Sequence, residues 1–198
     1  METTTVDLLR HGEVQGGEYY RGITDDPLSE QGWNQMHKQC ANRQWQMVIS
    51  SPLRRCSAFA SAWCEQRHLP LQIHPAWMEI DFGDWEGQTA DWIATQHPDA
   101  LRDFYADPFR YTPPNAESYS DFIGRIRQGW EEVLVKHAGQ KILIVTHAGV
   151  IRALLSLLLG IPAVQSLQLD VPHACLTRFS CFHDGGGNFI QLNFHNPD

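Results

Sequence analysis

An α/β fold is the first expectation from this chain: a three-layer sandwich with a mostly parallel central sheet and helices on both faces. Three observations support it. Short runs rich in apolar and β-branched residues alternate with longer helical segments. The runs at Thr4–Leu9 and Lys141–Thr146 are largely apolar at consecutive positions, as strands covered on both faces are. The 198 residues, 42% hydrophobic and 19% charged, suffice for one full core, so residues 1–198 are read as one domain.

The elements follow in order. Thr4–Leu9 is the first strand, and Asp25-Asp26-Pro27 turns the chain into a helix capped by Ser29 and running to about Trp45. Met47–Ser50 is a second strand. Pro52 suits the first turn of a helix through Arg67, and Leu71–His74 is a third strand. Residues 85–119 break the β-α rhythm with aromatic residues set between Pro98, Pro108, Pro113 and Pro114, which reads as a short-helix, lid-like insertion. A long helix over Glu117–His137 leads to the strand Lys141–Thr146 and a helix holding Ile151–Leu159. Two strands, Cys175–Phe182 and Phe189–Phe194, close the chain as a hairpin across His183–Asn188, an antiparallel addition to the sheet.

Composition narrows the partners. With 15 Lys and Arg against 23 Asp and Glu, the formal net charge is −8, which argues against nucleic acid or an anionic membrane surface as a partner. The longest apolar run, Ala153–Ile161, is too short for a bilayer, and the first residues lack a signal-peptide pattern, so a cytoplasmic protein is expected. Five cysteines without a CxxC pair fit reduced, buried thiols. Histidines other than His11 and His147 show no metal-ligand spacing, and neither a metal nor another cofactor is expected. Oligomeric state is left open.

In sheets of this kind ligands collect beyond the carboxyl ends of the strands. Applied to this chain, that rule selects Arg10-His11-Gly12, Ser50-Ser51-Pro52-Leu53-Arg54-Arg55 and Thr146-His147-Ala148-Gly149, with the acidic segment Glu79–Gly87 after the third strand. Such a set suits phosphoryl transfer from a small phosphorylated metabolite. Guanidinium forks match phosphate oxygens, which points to Arg10 and Arg55. Neighbouring cations keep an imidazole neutral and nucleophilic, which points to His11, with His147 as a donor to phosphoryl oxygens. A carboxyl beside the bound dianion can protonate the departing alkoxide, and Glu79 is selected over Asp81, Asp84 and Glu86. Gly12, where backbone can approach a ligand closely, is a further pocket position, as are Arg21 and Ala148.

These segments, in this order from about Val6 to Leu159, resemble the histidine phosphatase (phosphoglycerate-mutase-like) superfamily. The resemblance implies a phosphohistidine on His11, a phosphate pocket of Arg10, Arg55 and His147, and Glu79 as acid and base. It also implies that Arg55, and not Arg54, enters the pocket. Glu13 follows Arg10-His11-Gly12 where the acid-phosphatase branch has Arg-x-Pro, which places the chain in the other branch. There it is most similar to the α-ribazole phosphatases of cobalamin synthesis, through Gly16-Gly17, Arg21-Gly22, Leu28–Trp33 and Glu117-Ser118. The Trp-Asn that many members carry after this glutamate is missing, and Arg21 or a backbone amide near Gly16 is the expected substitute. The shortness of the chain favours hydrolysis over mutase chemistry. A flat base such as that of α-ribazole would stack on Trp85, Tyr105 or Tyr111, and His173 is expected outside the pocket.

Overall fold

The computed structural model describes residues 2–184 and 187–196. Six strands form one sheet in the order β3-β2-β4-β1-β5-β6: β1 is Glu2–Arg10, β2 Met47–Ser50, β3 Leu71–Ile73, β4 Lys141–Thr146, β5 Leu176–Asp184 and β6 Gly187–His195. The first four are parallel, and β5 and β6 are added antiparallel at the β1 edge. The hairpin expected over His183–Asn188 is present in its arms, while its tip at Gly185-Gly186 lies outside the described residues.

Period-2 alternation divides the strands between two cores. Leu8, Ile142 and Ile144 face a layer formed by α5 (Tyr119–Lys136) and α6 (Ala148–Leu159), through Phe122, Ile126, Trp130 and Leu154. Leu9, Leu143 and Val145 face the opposite layer of α1 (Glu30–Cys40) and α2 (Arg54–Arg67), through Met36, Phe59 and Trp63. Asp7 shares that second face and is fully buried, held by both Arg178 guanidinium arms at 2.7 Å and by Trp45 Nε1 at 2.8 Å.

Ser29 caps α1 by accepting from Gly32 N, but the helix stops at Cys40, five residues short of the expected Trp45. Trp45 is instead drawn into the core beside Trp63, with its indole N–H on Asp7, and burial of that ring outweighs continued helical periodicity. Between β3 and α5 the chain forms two single 3₁₀ turns, Pro75–Trp77 and Gly83–Trp85, then α3 (Ala90–Gln96) and α4 (Ala100–Ala106). These two helices close on a small core of Trp85, Ile93, Ala100 and Phe104. A short α7 (Ala163–Ser166) precedes β5. Among the described residues no helix is long and apolar enough to cross a membrane, and all five cysteines are buried and free.

Register is what positions the site. Arg10 pairs with Thr146, Ser50 with Val145, and Ser50 with Ile73, so the carboxyl ends of β1, β4, β2 and β3 stop at one edge.

Candidate active site

Four strand ends supply the side chains. His11 follows β1, is 6% exposed, and directs Nδ1 to the carbonyl of Gly12 at 2.8 Å. A carbonyl only accepts, so Nδ1 carries the proton and the neutral ring presents an unprotonated Nε2. Burial, then Arg55, then Arg10 hold the His11 pKa well below the ordinary imidazole value. Gly12 has a packing reason that differs from the one expected: a Cβ there would lie 2.2 Å from Gly32 O, so the backbone it lets approach is that of α1.

Arg55 enters from the first turn of α2 and is fully buried, while Arg54 beside it is exposed. Its Nε donates to His147 Nδ1 at 3.2 Å, Nη1 to Thr24 O at 2.7 Å and Nη2 to Gly22 O at 2.6 Å. A guanidinium has five N–H groups, so one on each Nη remains for a ligand. Arg10 is fixed by Nη1 on Val171 O at 2.5 Å, and its Nε is buried with no partner, as a donor awaiting an anion would be.

His147 caps α6 at the end of β4. Since Arg55 donates to its Nδ1, its proton is on Nε2, which donates to Ser51 Oγ at 2.8 Å. Burial, then Arg55, then His11 hold its pKa well below the ordinary value, and its ring centroid is 5.3 Å from that of His11. Glu79, 8% exposed, accepts from Gly149 N at 2.9 Å through Oε2 and from Ile80 N at 3.1 Å through Oε1. A Cβ on Gly149 would lie 2.2 Å from Glu79 Oε1, so only glycine lets the carboxylate seat against the start of α6.

Supporting residues complete the arrangement. Arg125 on α5 donates to Ala76 O, Met78 O and Glu79 O at 2.8–3.0 Å and is itself held by both Glu117 carboxylate oxygens. Glu86 accepts from the backbone N–H of Gly22, Ile23, Thr24 and Phe82, and from the Thr24 hydroxyl. It thereby anchors the loop whose carbonyls hold Arg55. Sequence reasoning set Glu86 aside as a solvated turn residue or a loop cap, and in the structure it caps the loop at Gly22, Ile23 and Thr24. Arg125 gave no signal toward the site, because the carbonyls it braces lie more than 40 residues before it, although Glu117, which holds it, is near in the chain.

Two further expectations change. His173 is at the site after all: its ring centroid is 5.8 Å from His11, and burial and Arg10 pull its pKa down to about 4. Arg21 borders the site, but its Nε is on Asp26 at 2.7 Å and its Nη2 on Gly17 O at 3.0 Å, which leaves little of the fork for a phosphate.

Above these groups opens a cavity of about 660 Å³ whose wall includes Arg10, Glu79, Ala148, Tyr20, Phe82 and Arg152. Tyr105 also faces it, from α4, with its hydroxyl 3.0 Å from that of Tyr20. Trp85 is core instead, 1% exposed and stacked on Tyr111 at 6.1 Å. Among the described residues no three His, Cys, Asp or Glu side chains gather as metal ligands would.

The chain is 31% identical over 198 aligned positions to a bifunctional protein of Mycobacterium tuberculosis, covering 96% of this chain and 54% of that one, so it spans about half the length of that relative. It is 29% identical over 173 positions to the adenosylcobalamin/alpha-ribazole phosphatase of Escherichia coli, 85% of each chain. A mycobacterial glucosyl-3-phosphoglycerate phosphatase superposes with a TM-score of 0.88 at 25% identity, over 99% of this chain and 100% of that one. That phosphatase is also known in complex with VO3 and with inorganic phosphate. A sequence profile of the histidine phosphatase superfamily (branch 1) matches residues 6–194, and the chain belongs to that family.

Proposed function

We propose that this protein hydrolyses a small phosphomonoester through a phosphohistidine on His11. The observation that carries the reading is the His11 ring itself, neutral, pinned through Nδ1–H and set between Arg10 and Arg55, which leaves Nε2 as the nucleophile. Arg10 Nε and the two free Arg55 N–H groups take the phosphoryl oxygens. His147 adds its Nε2–H, a phosphoryl oxygen replacing Ser51 Oγ as acceptor.

In the first step His11 Nε2 bonds to phosphorus, the ester P–O bond breaks, and protonated Glu79 gives its proton to the leaving alkoxide. In the second, Glu79 takes a proton from water, the water oxygen bonds to phosphorus, the P–N bond breaks and inorganic phosphate leaves. Nothing in these steps calls for a metal or other cofactor, so activity is expected to withstand chelator.

Two substrate readings follow. Resemblance to α-ribazole phosphatases favours α-ribazole 5′-phosphate, and Tyr20, Phe82, Phe104 and Tyr105 on the cavity wall suit a flat base. Arg152 on the same wall favours a phosphorylated acid of the phosphoglycerate kind. The test is phosphate release in chelator from α-ribazole 5′-phosphate, 3-phosphoglycerate and a phosphosugar. Loss of all activity in His11→Ala supports the mechanism. Turnover that survives the substitution overturns it, and binding of vanadate without turnover of any ester would leave a phosphate-binding module in its place.

A further inference from the structure

The cavity over Glu79 is far larger than a phosphate, and it contains a cationic group for which the proposed steps have no use. Arg152 lies on α6 five residues beyond His147, and its Nε donates to Leu169 O at 2.9 Å. Arg10 is pinned to Val171 O two residues further along the same loop, so one segment holds two guanidinium groups beside the cavity. Among the described residues no carboxylate lies within ion-pair distance of Arg152, and neither of its Nη atoms has a hydrogen-bond partner. The like charges of Arg10 and Arg152 repel each other, Glu79 offsets only part of that repulsion because it faces two guanidinium groups, and a bound anion relieves the rest.

Tyr119 at the start of α5 supplies an independent sign. It lines the same cavity, is 4% exposed, and its hydroxyl has no partner in good hydrogen-bond geometry, with the Ser166 hydroxyl, which donates to Ala163 O, its nearest polar neighbour. A buried phenol without a partner is uncommon unless a ligand supplies one. Of the acidic residues that share the cavity, Glu18 and Asp91 come from the loop after β1 and from α3, away from Arg152 and Tyr119 on α6 and α5, and Glu79 is held by the backbone amides of Gly149 and Ile80. Glu79, the proposed proton donor to the leaving oxygen, lies against Gly149 one turn before Arg152. Arg152 therefore belongs to the side of the site that receives the leaving alcohol.

We infer that Arg152 and Tyr119 form a second anion-recognising subsite, and that the preferred substrate carries a carboxylate on its alcohol portion. A guanidinium fork and a phenol hydroxyl offer a carboxylate three donors in a setting walled by Ile80, Phe82 and Phe122, where water competes poorly. The inference rests on the phosphatase reading for its turnover assay and on binding alone for its second readout.

The test compares 3-phosphoglycerate with glycerol 3-phosphate, which differ only in a carboxylate against a hydroxymethyl group, alongside α-ribazole 5′-phosphate. Wild-type protein is expected to favour 3-phosphoglycerate over glycerol 3-phosphate by about 10–100-fold in kcat/KM, the worth of one charge-assisted hydrogen-bonded contact. Arg152→Gln should erase that preference mainly through KM and leave glycerol 3-phosphate nearly unchanged. Tyr119→Phe should lower it several-fold on the acid alone, and Arg152→Lys, which keeps the charge and the fold, should fall between. An equal loss on both esters would move Arg152 into the phosphate pocket and overturn the inference. So would the absence of any preference, or a preference for α-ribazole 5′-phosphate that Arg152→Gln does not touch. If no ester is turned over, the phosphatase reading fails by itself, and tryptophan-fluorescence titration with the same two ligands still decides the subsite: equal affinities overturn it.

Discussion

Replacing Glu86 with glutamine asks whether the phosphate pocket depends on a carboxylate that takes no part in the proposed chemistry. Glu86 Oε1 accepts from Gly22 N, Ile23 N and Phe82 N at 2.9–3.0 Å, and Oε2 from Thr24 N at 3.0 Å and the Thr24 hydroxyl. Glutamine removes the charge and turns an NH₂ group toward at least one of these amides. A hydrogen bond to a charged acceptor is worth about 1.5–3 kcal/mol, and water can replace part of it in a half-buried loop, so a loss of roughly 2–3 kcal/mol is expected. For a chain of this size that lowers Tm by roughly 5–10 °C. The same loop holds Arg55 through Gly22 O and Thr24 O. If it relaxes, a shift of about 1 Å in the guanidinium should lower kcat/KM by about 100-fold. Thermal melts paired with p-nitrophenyl phosphate hydrolysis, assayed well below the melt, separate the two effects. A variant with lowered Tm and full kcat/KM would refute the claim that Glu86 positions Arg55.

Other substitutions probe the remaining groups. Glu79→Gln should reduce kcat/KM, which reports only the step that breaks the ester bond, by about 100- to 10,000-fold on esters of poor alkyl leaving groups, and much less on p-nitrophenyl phosphate, whose phenolate leaves without a proton. Equal losses on both would remove Glu79 from the acid role. His147→Ala should lower kcat by about 100- to 1,000-fold, as loss of a donor to developing charge does, with chelator making no difference to either protein. Acid should destabilise the fold: His11 and His147 are held below the ordinary imidazole pKa, so below about pH 6.5 the unfolded chain binds more protons and stability falls with pH. The Tm is therefore expected to drop between pH 7 and 5, with a shallower slope in His147→Gln, and a Tm independent of pH would contradict the assignment. Removing one depressing charge in Arg10→Gln should raise the His11 pKa and move the acid limb of kcat/KM upward.

Much of the architecture was legible in the sequence, because apolar runs broken by caps and turns report burial directly. The strands β1, β2 and β4 lie within two residues of where their hydrophobic runs place them, and Ser29 caps its helix through a side-chain bond to Gly32 N as its position predicts. The residues at the strand ends were equally visible, since a parallel sheet gathers its carboxyl ends at one edge whatever the details of the loops.

What only the tertiary structure decided are the partnerships between distant segments. The end of α1 depends on Trp45 finding Asp7, 38 residues away, and Gly12 is required by Gly32. The carboxylate of Glu86 is matched to amides over 60 residues earlier, Arg125 to carbonyls 46–49 residues before it, and His173 comes beside His11 only when the loop before β5 folds back. Local pattern reports whether a residue is buried and in which kind of element. It carries no record of which groups converge on a donor or acceptor, because hydrogen bonds and ion pairs act over a few ångströms in space and are indifferent to separation along the chain.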